Sequence, residues 1–164
     1  IVPQDHLQEI KHLILLITSV ISKSDKIKEL FSIWKKVGYR ISDEEYTSSK
    51  QQVRKENPSD ENLMKIYSVE CFIAFLLRLI SIRKIDTDFK ISTISDFISH
   101  TKKMMQTGFY FLFDEDVYDI WTYLAESSNI REIESYLINS VNPLLKSVVN
   151  LKIQQIFLVL HQTI

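Results

Sequence analysis

The chain has 164 residues, 45% of them apolar and 25% charged, which places it among folded globular proteins and outside the disordered class. Only two glycines and three prolines are present, too few for the many tight turns that a sandwich, a barrel or a doubly wound sheet requires. Twenty basic and 21 acidic side chains leave a formal charge of −1, so no overall positive field draws the chain to nucleic acid or to an anionic membrane. These limits predict an all-α single-domain bundle of about six to eight helices spanning 1–164, with a helix content above roughly 60% and no sheet of three or more strands.

The first helix is expected over 6–22. Asp5 precedes an apolar series at Leu7, Ile10, Leu13, Ile14, Ile17, Val20 and Ile21, and Gln8 is placed to complete a capping box. A second helix starts after Ser22 or Ser24, carries Ile27, Leu30, Phe31, Trp34 and Val37 on one face, and ends at Gly38 as a left-handed cap. Residues 39–58 are polar and lack an apolar stripe; they read as a solvent-facing helix or a connector, closed by Asn57-Pro58. Ser59-Asp60-Glu61 then opens the longest helix, expected near 60–83. It is apolar nearly all round, the mark of a helix at the centre of a bundle.

A fourth helix is expected over about 92–106, with Ile94, Phe97, Ile98 and Met105 in phase and Gly108 behind it. Phe109 to Phe113 is an aromatic run of the kind an extended segment carries. Asp114, Glu115 and Asp116 load carboxylates into what reads as the first turn of a helix bearing Val117, Ile120, Trp121 and Leu124, where the helix dipole favours them. Asn129 caps a further helix to about Ser140, Asn142-Pro143 interrupts, and a last helix starts at Asn150. The expected core includes Trp34, Phe72, Phe75, Leu76, Leu79, Trp121 and Phe157.

Chemistry is sparse in this pattern. His6, His12, His100 and His161 have no cysteine or carboxylate at ligand spacing, so no metal site is expected. There is no G-x-S-x-G, and Gly38 and Gly108 stand alone, so no glycine-rich turn is available to cradle a phosphate. Catalytic and cofactor-binding residues are accordingly expected to be absent, and no cofactor is assigned. The acidic run with Asp119 reads as capping rather than as an acid/base pair. The single cysteine, Cys71, lies in an apolar run and reads as a buried, inert thiol in reducing, cytoplasmic surroundings. The most apolar stretch, Cys71 to Ile80, is ten residues with Arg78 inside it, far short of the ~20 needed to span a membrane.

Two charged features remain. Lys50, Arg54 and Lys55, with Lys35, Lys36 and Arg40 before them, form a basic stripe that could contact DNA phosphates without reading sequence. Arg78 and Glu70 lie on the apolar long helix along a narrow polar stripe through Ala74 and Ser81. A buried arginine must be paired, and Asp116 or Asp119 is the expected partner.

Three segments carry a family resemblance. Ser68 to Asp86, SVECFIAFLLRLISIRKID, resembles the central helix that precedes the catalytic domain in large adenine-specific DNA methyltransferases of restriction and phage-defence systems. Gly108 to Phe113, followed by Glu115 to Trp121, is similar to their acidic–aromatic–Trp element. Ile153 to Ile164, IQQIFLVLHQTI, resembles the helix that ends at a Tyr-Gln pair before their methyl-donor domain, with His161-Gln162 in that place. Order and spacing agree over roughly residues 60–164. Trp121 falls one residue late, and the glycine expected after the acidic end of the long helix is missing.

The resemblance implies a helical connector that braces a catalytic domain and touches DNA backbone. The family's F-x-G-x-G turn and N-P-P-aromatic loop are not in this sequence: Asn57-Pro58 precedes Ser59 and Asn142-Pro143 precedes Leu144. No catalytic residue is carried over. The chain's first residue is Ile1 and its end is apolar, which reads as a piece of a longer polypeptide whose remainder is its partner. A free-standing adaptor that holds a protein partner in a groove between helices is the alternative from a different class.

Overall fold

A computed structural model describes residues 4–38, 59–108 and 116–148. Helix accounts for 80% of these residues and no strand occurs among them, as the scarcity of turn-forming residues requires. The elements are α1 (Gln4–Lys23), α2 (Asp25–Gly38), α3 (Asp60–Ile85), α4 (Ile94–Gln106), α5 (Trp121–Leu124), α6 (Ile130–Tyr136), a π-helical segment (Leu137–Val141) and α7 (Asn142–Val148). The expectations for 39–58, for Phe109 to Glu115 and for the helix from Asn150 with Phe157 fall outside the described residues.

α3 is the axis of the bundle. Ser59 caps it, its hydroxyl accepting from the Asn62 amide at 3.3 Å, and Asp60 and Glu61 sit in the first turn where the dipole favours them. Two residues beyond the expected end, the helix closes at Ile85, and the Asp86 amide bonds back to the Ile82 carbonyl. Leu63, Tyr67, Cys71, Phe72, Phe75, Leu76, Leu79 and Ile82 are all buried. From Tyr67 to Leu79 the buried positions run around the helix rather than along one stripe, because other elements cover it on several sides.

α1 packs along α3 through Ile10, Leu13, Ile17 and Ile21, each fully buried. At their crossing the hydroxyls of Thr18 and Ser68 meet at 2.8 Å, and each also lies within bonding distance of the carbonyl four residues back. Ser68 is buried and Thr18 half-buried, and hydroxyls so paired meet none of the cost of an unbonded polar group. α2 adds Ile27, Phe31 and Trp34 to the same core. Its outer turn departs from the expected face, since Val37 is 75% exposed. Gly38 is the last helical residue of α2. Among the described residues the glycine with positive φ is Gly108, at 101°, closing α4.

α4 begins at Ile94, with Thr93 as its cap accepting from the Asp96 amide at 3.0 Å. Ile94, Phe97, Thr101 and Met104 are its buried face; Met104, rather than the expected Met105, takes the innermost position. The stretch after it corrects a larger expectation. Asp116 to Ile120 is a turn, and the helix begins only at Trp121 and lasts four residues. Asp116 therefore does not serve a helix dipole.

The expected break at Asn142-Pro143 is also absent. α6, the π segment and α7 run on without interruption. The Asn142 amide bonds to the Leu137 carbonyl, five residues back, and this one wide turn precedes Pro143. A proline ring collides with the carbonyl four residues earlier in a regular helix; widening the turn directly upstream is how the chain carries it. Buried apolar residues from Ile10 to Leu145 form one connected core.

Candidate functional site

Polar groups gather where the turn Asp116–Ile120 crosses α3. Tyr67, Cys71, Ala74 and Arg78 follow each other at intervals of four, three and four, so they share one face of the helix, and Glu70 flanks it. The turn is stitched to that face in four places. The Tyr67 hydroxyl donates to the Val117 carbonyl at 2.5 Å. The Tyr118 hydroxyl donates to Glu70 Oε2 at 3.2 Å. Arg78 reaches Asp116 Oδ2 through one guanidinium nitrogen and Asp119 Oδ2 through another, each at 3.5 Å. At the end of the turn the Trp121 ring stacks on Phe75 with centroids 4.0 Å apart, and Phe97 meets Phe75 edge-on at 4.6 Å.

Asp116 or Asp119 is the expected partner of Arg78, and both pair with it. The arginine side chain is 7% exposed, whereas those of Asp116 and Asp119 are 49% and 19% exposed. Asp116 also shapes the turn itself: its Oδ1 accepts from the Tyr118 amide at 2.8 Å, and its carbonyl accepts from the Asp119 amide at 3.0 Å. One side chain therefore fixes the local backbone and neutralises the buried charge.

Glu70 joins three elements at this centre. It is half-buried and turned towards α2, where Trp34 Nε1 donates to its Oε2 at 2.7 Å. The same oxygen accepts from Tyr118. Glu70 thus links α2, α3 and the turn, and it shares no direct ion pair with Arg78 among the described contacts. Its donor Trp34 belongs to an aromatic group in which Trp34 lies 5.1 Å from Tyr67 and Phe31 lies 5.5 Å from Tyr67.

Burial holds one thiol and two phenols here in their protonated forms. Burial pushes the Tyr67 hydroxyl well above its ordinary range, with Cys71 adding to the effect. Burial likewise pushes the Cys71 thiol up, against a hydrogen bond with Tyr67 that acts the other way. The Tyr118 hydroxyl is raised by desolvation and then by the neighbouring Glu70 charge. A thiol and phenols tuned upward supply neither nucleophile nor base near neutrality. Beside the turn lies an open depression of about 350 Å³ lined by Leu30, Asp116, Val117, Asp119, Thr122 and Tyr123. Its two carboxylates face Arg78, which ties them to the fold.

The histidines and the basic stripe place as follows. His100 Nε2 lies 3.5 Å from Asp86 Oδ2, and its ring packs on Phe89 at 4.4 Å. His12 lies against Tyr136, centroids 6.1 Å apart. His161 and the side chain of His6 are outside the described residues. No group of three or more His, Cys, Asp or Glu side chains converges on a cation position among the described residues. Lys50, Arg54, Lys55 and Arg40 also fall outside them. Lys35 is engaged within the fold, its ammonium 3.2 Å from Asp60 Oδ1 and 5.5 Å above the Phe31 ring; Lys36 has partners of its own. No helix among the described residues is long and apolar enough to cross a membrane.

Two polar anchors escape sequence reasoning. The Asn142 side chain accepts from the Ile91 amide at 3.1 Å and donates to the Ile91 carbonyl at 2.7 Å, as a neighbouring β-strand would. Glu134 accepts from the Ile94 amide at 3.0 Å. Together they fasten the connector before α4 to the α6–α7 rod, and a single Asn or Glu in a polar stretch gives no periodic signal of such a role. Searches of protein-family models, of curated proteins and of solved structures found no match to the chain.

Proposed function

We propose that the chain is a non-catalytic helical connector of a large adenine-specific DNA methyltransferase, bracing the catalytic domain and touching DNA through backbone phosphates. The observation that supports this reading is the joining of two of the three resembling segments. The described end of the acidic–aromatic–Trp segment, Asp116 to Trp121, lies across the long apolar helix and is bound to it by Arg78 with Asp116 and Asp119, by Tyr67 with Val117, and by Phe75 with Trp121. The polar residues that stand out from both apolar patterns meet each other, so the two segments act as one mechanical piece. Charge and hydrogen bonding at this centre are spent on holding elements together, which is the chemistry of a brace.

The parent reading frame tests the proposal. Downstream of Ile164 it should encode, within a few tens of residues, a glycine-rich strand–helix turn of F-x-G-x-G type, followed by an N-P-P-aromatic tetrapeptide. These are the physical requirements for holding a methyl donor and a flipped adenine. A stop codon directly after Ile164 would end the methyltransferase reading. The adaptor reading would then stand, on the observation that α2 carries Ile33 and Val37 one turn apart, 43% and 75% exposed.

A further inference from the structure

We draw no further inference here: the strongest candidate, the exposed apolar strip of Ile33 and Val37 at the C-terminal end of α2, carries nothing because no contact among the described residues shows what covers it.

Discussion

Arg78 is the residue on which the centre of the bundle turns, and its two partners differ from it in access to water. Replacing Arg78 by Met leaves behind Asp116 and Asp119, which solvent can reach. Replacing both carboxylates by amides instead removes two countercharges from a guanidinium with 7% exposure. Taking the countercharges from a buried cation is the costlier change, about 3 kcal/mol in a well-buried pair; the 3.5 Å separations and the exposure of Asp116 argue for somewhat less here. D116N/D119N should therefore lose more stability than R78M in urea titrations followed by circular dichroism. Equal losses would show that the guanidinium is held by other partners once both carboxylates are neutral. Cys71 offers a second test at this scale. Its thiol stays protonated in the fold because burial opposes the thiolate, whereas the unfolded thiol ionises near the ordinary value of about 8.5. Above that pH the unfolded chain releases a proton that the folded chain keeps. Stability is thus undiminished by this group below pH ~8.5 and falls as the pH rises beyond it, by at most about 1.4 kcal/mol per pH unit. The fall should be shallower in C71A, and in the parent chain an aromatic disulfide reagent should modify Cys71 only as fast as the protein opens.

Elements, rather than residues, mark where sequence reasoning stopped. α3 was legible because capping at Ser59, acids in the first turn and an all-round apolar pattern agree with one another. The pairing of Arg78 was legible because a buried cation needs a counter-charge from a neighbouring element, and Asp116 and Asp119 lie in the carboxylate cluster of the next apolar series but one. The same acids misled as to local structure. Crowded carboxylates before an apolar series read as a helix start, but Asp116 uses its side chain to bond the Tyr118 amide, and that competes with helix. Asn142-Pro143 misled in the opposite direction: proline reads as a break, yet a π turn needs only one wider ring to accommodate it. Asn142 also takes on the backbone of Ile91, so N142A should leave a buried donor and acceptor unpaired. A loss of about 2 kcal/mol is expected, together with faster amide exchange in residues 87–93 and little change in α1 or α2. N142D, which keeps the acceptor and loses the donor, should fall between N142A and the parent chain. Exchange rising evenly over all helices would show that the clamp is not local.

For the whole molecule the decisive quantity is how DNA affinity answers to salt. A net charge of −1 supplies no general attraction, so any binding by a connector must come from a few local phosphate contacts. Lys35 is a weak contributor, since it pairs with Asp60 and rests on Phe31. The burden falls on Lys50, Arg54 and Lys55, roughly three contacts. For three contacts the counterion argument gives a loss of about 40-fold in affinity between 50 and 200 mM salt. Fluorescence anisotropy with two duplexes of unrelated sequence should show the same weak affinity for each and that salt response. Reversal of charge at all three positions should abolish it, while K35E should weaken binding little and cost stability of under about 1 kcal/mol through the exposed bridge to Asp60. Calorimetry with S-adenosylmethionine should give no heat of binding, because the chain's two glycines supply no turn to hold the nucleoside. DNA binding that persists at 200 mM salt and in the triple variant would move the contact surface elsewhere on the bundle. No binding at low salt would remove DNA from the proposal and leave a brace that acts only on protein.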